Sequence, residues 1–161
     1  MRKKLSQTLL FIILFTNFLL YSQTKIYNKN SKYSSDILYT INNGKLYKSN
    51  SNYSSDILFT IKEDKIYRGN SNYNSDIILN IKDNKVYKNN SSYSSDIVYV
   101  FSNGKMYNSN SKYESDIIFT LKNNKVYKGN SSYDGSILFN ISENISLTEL
   151  VLVYHAYSSK I

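Results

Sequence analysis

From Lys25 to Asn144 the chain divides into six consecutive 20-residue units with no insertion between them: 25–44, 45–64, 65–84, 85–104, 105–124 and 125–144. A unit this short cannot bury an apolar face by itself, so the fold must stack or close copies of one small motif. The consensus runs Lys-Ile-Tyr-Lys-x-Asn-Ser-x-Tyr-Ser-Ser-Asp-Ile-Leu-Phe-Thr-Ile-x-x-x. Lysine fills the first position of every copy (Lys25, Lys45, Lys65, Lys85, Lys105 and Lys125), and isoleucine fills the thirteenth.

Each unit holds two β-rich runs and no helical periodicity. A short run such as Lys45 to Lys48 leads through a polar Asn-Ser-x-Tyr loop into a longer run such as Asp56 to Ile61, both rich in β-branched and aromatic residues. The long strand meets the next unit's short strand across Asn43-Gly44, Asp83-Asn84, Asn103-Gly104 and Asn123-Asn124. Those dipeptides tolerate the positive φ of a two-residue type I′ turn, which sets the register. Strict alternation then places Ile57, Phe59, Ile61 and Ile66 on one face, the core face, and Leu58, Thr60, Lys65 and Tyr67 on the other. Position fifteen is aromatic in five copies (Tyr39, Phe59, Tyr99, Phe119, Phe139), with Leu79 the exception.

Five hairpins form between copies and leave the first short strand (Lys25 to Asn28) and the last long strand (Ser136 to Ile141) as a matched pair. Joining them closes the sheet and removes both edges. The alternative, an open solenoid, calls for polar, atypical end units; only Gly135-Ser136 departs from the usual Ser-Asp. A ring of about 12 strands is too wide for side chains to fill, since about eight strands is the size that packs itself. The tail supplies the filling. In Ile145-Ser146-Leu147-Thr148-Glu149-Leu150, Ser146 is an N-cap, Glu149 completes a capping box, and Ile145 with Leu150 forms a hydrophobic staple. The helix predicted from Leu147 to about Tyr157 is apolar on every side and must be buried, and at about 16 Å it matches a six-residue strand. The fold class is therefore all-β with one helix: a closed, pseudo-six-fold shallow barrel of β-hairpin repeats around a buried C-terminal helix.

The Lys-Ile-Tyr-x-x-Asn-Ser-x-Tyr to Asp-Ile-Leu units and the Ser-Leu-Thr-Glu-Leu tail resemble the β-flower type of repeat fold, shallow barrels of hairpin petals similar in outline to tubby-like barrels with a central helix. The tubby-like comparison implies contact with phospholipid headgroups; β-flower proteins as a group imply no settled activity. Choline-binding repeats want Trp and MORN repeats want abundant Gly, whereas this chain has no Trp and five Gly. The knotted septoil repeats share the Ser-x-Tyr-x-x-Asp-Ile string at a shorter period and stand as a minor alternative.

Ahead of the repeats, Arg2, Lys3 and Lys4 precede an apolar run from Leu9 to Leu20 and then Tyr21-Ser22-Gln23, the order of a secretory signal peptide. The expected organisation is a leader over 1–23 removed near Gln23, the six repeats over 24–144 and the plug helix over 145–161. The expected location is secreted or at the cell envelope. The absence of Cys excludes a lipidated cysteine, disulfides and thiolate chemistry. Without the three leader cations, 17 Lys and Arg face 12 Asp and Glu. That is mildly basic, too little to diagnose a partner, and nucleic acid is not expected.

No catalytic constellation is present: the one histidine, His155, lies on the apolar helix and reads as a core residue, and no enzyme activity, cofactor or metal is expected. The aspartates Asp36, Asp56, Asp76, Asp96 and Asp116 are spread one per petal, which suits hydrogen bonding to the loop backbone better than a shared Ca²⁺. The six position-one lysines are candidate contacts for lipid phosphates or acidic polysaccharide, against the plainer role of solubility and edge protection. The loop tyrosines, Tyr53, Tyr73, Tyr93 and their equivalents, are expected to fold over the outer face and cover Leu38, Leu58, Ile78, Val98, Ile118 and Leu138. The functional expectation is an exported, non-enzymatic interaction module whose partner is a cell-surface glycan, a protein or anionic lipid. A tubby-like binder of anionic phospholipid and a purely structural repeat protein are the alternatives.

Overall fold

A computed structural model describes residues 23–160, so the predicted leader lies outside the described residues except for Gln23. Twelve strands alternate short and long: β1 (Thr24–Asn28), β2 (Ile37–Asn42), β3 (Lys45–Lys48), β4 (Ile57–Lys62), β5 (Lys65–Arg68), β6 (Ile77–Lys82), β7 (Lys85–Lys88), β8 (Ile97–Ser102), β9 (Lys105–Asn108), β10 (Ile117–Lys122), β11 (Lys125–Lys128) and β12 (Ile137–Ile141). Each pairs antiparallel with the next. β1 then pairs with β12 through Ile26 with Ile141, Tyr27 with Asn140 and Asn28 with Phe139, so the sheet is a closed barrel. The matched leftovers do join, and the open solenoid is excluded.

The turn chemistry carries the register. Asn43, Gly44, Asp83, Asn84, Asn103, Gly104, Asn123 and Asn124 all have φ between 50° and 72°, as a type I′ turn requires. At Gly104 a Cβ would also sit 3.1 Å from the Leu121 carbonyl oxygen, so glycine suits both the φ and the close approach. The long strands begin one residue later than expected. A one-turn 3-10 segment such as Ser54–Asp56 precedes each, leaving the aspartate in the turn and Ile57 as the first strand residue.

One part of the predicted face assignment is corrected. Positions two, fifteen and seventeen do line the lumen, with Ile26, Leu46, Ile66, Val86, Met106 and Val126 fully buried. Positions thirteen and fourteen, however, are exchanged. Within every petal the register shifts between the short strand's second and third residues; Leu46 pairs with Phe59 but Tyr47 pairs with Ile57, so Leu58 is an extra residue. Such a β-bulge turns two successive side chains to one side and sharpens the local twist, which helps so short a sheet to close. Leu38, Leu58, Ile78, Val98, Ile118 and Leu138 therefore pack against the lumen cluster. The position-thirteen isoleucines are buried outside that cluster, as where Ile97 packs with Tyr87 and Val100.

The tail forms α1 (Leu147–Ser158), with the predicted capping box: the Ser146 hydroxyl accepts from the Glu149 N–H at 3.2 Å, and the Ser146 N–H donates to the Glu149 carboxylate at 2.8 Å. Leu150, Val151, Leu152, Val153 and Ala156 are buried in the lumen cluster. Geometry explains the fit. Twelve strands about 4.8 Å apart enclose a circle of radius roughly 9–10 Å before tilt widens it, and inward side chains take about 5 Å, half the spacing of packed sheets. A helix with its side chains has a radius of about 5–6 Å. The bore admits one helix and no more.

Candidate binding site on the petals

Each petal loop is tied down in the same way. Position five takes a left-handed conformation in all six copies (Lys29, Ser49, Gly69, Asn89, Ser109 and Gly129, φ 50–60°), which turns the chain away from the barrel end. The serine at position seven then clasps the aspartate at position twelve, as where the Ser91 hydroxyl donates to the Asp96 carboxylate at 2.5 Å. The same serine oxygen accepts from the N–H of the loop tyrosine, at 3.1 Å for Tyr93, and the aspartate N–H donates to that tyrosine's carbonyl at 3.0 Å. The aspartate carboxylates thus bind a side-chain hydroxyl rather than the loop backbone expected of them. In the last copy Ser136 replaces the aspartate and donates to Ser131 at 2.7 Å.

The loop is also fastened to the outer wall by the neighbouring petal. In five of the six copies, all but that of Val100, the position-sixteen side chain donates to a carbonyl of the next loop: Thr60 to Gly69 at 2.8 Å, Asn80 to Ser91 at 2.9 Å, and, across the closure, Asn140 to Ser31 at 2.7 Å. Loop backbone and the position-three tyrosines, Tyr47, Tyr67, Tyr87 and Tyr127 being buried, therefore close the outer wall.

The loop tyrosines do not do so, contrary to expectation. Tyr33, Tyr53, Tyr73, Tyr93, Tyr113 and Tyr133 are 72–77% exposed. The aliphatic residues they were expected to cover lie on the lumen side, behind the bulge. Six aromatic rings, one per petal, thus project from loops whose backbone is fixed.

The position-one lysines are half-buried and lie on the outer wall, between the fully buried lumen residues at position two and the turns. Lys25 hydrogen-bonds the Asn50 side-chain oxygen of the next petal, and Lys125 lies 3.8 Å from Asp134. Lys125 opens onto a groove between petals. At the seam between the last and first copies this groove, about 460 Å³, is lined by Lys125, Asn124 and Asn140 on one side and Tyr27, Asn30 and Lys32 on the other.

A second cationic set escaped the sequence reading. Position four alternates with position two and so turns toward the bore at the loop end, where Lys48, Arg68, Lys88 and Lys128 are exposed. Lys128 shares a cleft with Ile118, Leu138, Tyr154, Tyr157 and Ser158, which places it at the C-terminal, negative end of α1. Counting two residues on from position two would have found them.

Aromatic packing fills the same end of the bore. Tyr154 meets Phe119 and Tyr99 at ring-centroid distances of 5.0 and 5.9 Å, Tyr157 meets Phe139 at 5.2 Å, and His155 meets Phe59 edge-on at 5.5 Å. Burial holds His155 below the usual imidazole range. Burial, and then the neighbouring Tyr99 and Tyr157, push the Tyr154 phenol up to about 12; burial raises Tyr99, and burial with Tyr157 raises Tyr39. For a folded-state value above the unfolded one, the stability is present below pH 10 and is lost as pH rises toward 12. Melting temperatures are therefore expected to hold below pH 10 and fall steeply above it, and Tyr154→Phe should flatten that fall. A profile identical in the variant would show that this phenol does not carry the effect.

Among the described residues no group of three or more His, Asp or Glu side chains gathers as a metal site would. No curated protein and no solved structure matches the chain. Residues 26–153 match the family of 6-fold beta flower proteins. That stretch takes in nearly all of the six petals and α1 as far as Val153, and the chain belongs to the 6-fold beta flower family.

Proposed function

We propose that the protein is an exported, non-enzymatic interaction module that holds its ligand through the six loop tyrosines. The observation that carries this reading is an exposed residue that does not vary. Position nine is tyrosine in every copy and at least 72% exposed, while position eight runs Lys, Asn, Asn, Ser, Lys, Ser and position ten runs Ser, Ser, Asn, Ser, Glu, Asp. The fold asks only for the backbone groups of position nine, which other residues also carry. An exposed ring returns little burial energy to the fold but offers a flat apolar face with a hydroxyl for a partner to stack on. The serine–aspartate clasp removes much of the ordering cost that a free loop would bring to binding. Export rests on the leader pattern of residues 1–23.

The test replaces all six loop tyrosines by serine and compares retention on immobilised cell-surface glycans and surface-protein extracts. The variant is expected to melt within a few degrees of the parent and to lose at least about tenfold in retention, since an aromatic contact contributes about 0.5–1.5 kcal/mol and several are removed together. Undiminished capture by a folded six-serine variant would sink the reading.

A further inference from the structure

We infer that the ligand is an acidic polysaccharide that wraps the outer wall and engages several petals at once; this rests on the reading that the loop tyrosines are the contacts. Three observations lead there. First, the contact is the same in all six petals, and the petals run around a closed ring, repeating every two strands, about 10 Å at the wall. A folded partner presents each of its surface patches once, whereas a polymer presents the same group again and again. Repetition in the receptor is matched by repetition in the ligand.

Second, a cation accompanies each petal. The position-one lysine is invariant and half-buried on the outer wall. At the seam, Lys125 and Lys32 share the groove with Asn30, Asn124 and Asn140. Between the first and second copies Lys25 reaches Asn50, while Gln23 reaches Asn52 at 3.2 Å. Ammonium groups beside carboxamides, some of them on the same loops that carry the exposed tyrosines, are the complement of a sugar ring that bears hydroxyls and a carboxylate or sulfate.

Third, the directions of the lysines favour a flexible chain over a flat surface. They face outward around the full circumference of the barrel, so a planar anionic bilayer meets only those on one side. A polymer can follow the wall from petal to petal. Linked weak contacts then multiply without any single tight site, typically raising overall affinity by about 10²–10⁴ over one contact.

The test measures binding of the purified protein to polygalacturonate, alginate and hyaluronate, with dextran as the neutral polymer and galacturonic acid as the monomer. At least one acidic polymer should be retained and dextran should not. Per sugar unit, that polymer should compete about 100-fold better than the monomer, and retention should weaken at high salt. Replacing Lys45, Lys65, Lys85 and Lys105 by glutamine should weaken retention at least tenfold, and arginine at the same positions should restore it, which separates lost charge from lost folding. Binding to none of the acidic polymers overturns the inference, as does monomer competing as well as polymer. So does co-sedimentation with phosphatidylserine vesicles in place of polymer binding. Equal retention on dextran, unaffected by the glutamine variant but abolished by the six-serine variant, overturns the acidic ligand and leaves the tyrosine reading standing.

Discussion

A chain ending at Asn144 is expected not to yield a soluble barrel, although all six petals remain in it. The truncation removes Leu150, Val151, Leu152, Val153 and Ala156, each at most 2% exposed. At about 1.5–3 kcal/mol for a fully buried Val or Leu, the four large side chains supply roughly 6–12 kcal/mol. That is comparable with the whole stability of a typical domain, about 5–15 kcal/mol. The loss is compounded because the truncation also bares the lumen faces of Ile26, Leu46, Ile66, Val86, Met106 and Val126. The finer version is Leu152→Ala, which leaves a cavity in the fully buried lumen and should cost about 2–5 kcal/mol in a urea titration. A truncated chain that elutes as a monomer with a cooperative melt, or a Leu152→Ala cost below about 1 kcal/mol, would remove the helix from its place as the principal support of the wall.

Deleting one whole petal, residues 85–104, is expected to be nearly as destructive, for a different reason. The deletion joins Asn84 to Lys105, so every turn, bulge and loop of the remaining petals keeps its own sequence. Local structure has nothing to object to. What changes is the ring: ten strands enclose a radius of about 8 Å instead of roughly 9–10 Å, and α1 with its side chains no longer fits. Linear arrays lose repeats gracefully, because each repeat touches only its neighbours. In this barrel the first and last strands are also neighbours, through Ile26 with Ile141 and Asn28 with Phe139. Size-exclusion chromatography with circular dichroism decides it. Aggregated or helix-displaced material is the expected result, and a five-petal monomer melting within a few degrees of the parent would show that the bore does not set the number of petals.

Most of the architecture was legible because it follows from local rules repeated six times. The Asn-Gly and Asn-Asn turns dictate two-residue hairpins, the Ser146 to Glu149 spacing dictates a helix start, and an all-round apolar helix has nowhere to go but inside. The bulge was not legible. Alternation assumes that no residue is inserted between partners, and Ile57-Leu58-Phe59 is apolar throughout, so hydrophobicity does not reveal which residue is the extra one. From that single slip came the misplacement of Leu58 and its equivalents, and with it the role given to the loop tyrosines. Tyrosine itself offered no correction, since the buried Tyr67 and the exposed Tyr73 are the same residue in the same petal.

By itself the sequence determined the unit, its count, its turns and the existence of a helix to bury, because each depends on residues close together along the chain. Tertiary structure alone decided which side of the wall positions thirteen and fourteen face, and which of two tyrosine sets meets solvent. Those outcomes depend on how a bulged, twisted sheet closes on itself and how five of the six loops are pinned by a neighbour's position-sixteen side chain. Such contacts are set between petals, and no pattern within one petal encodes them.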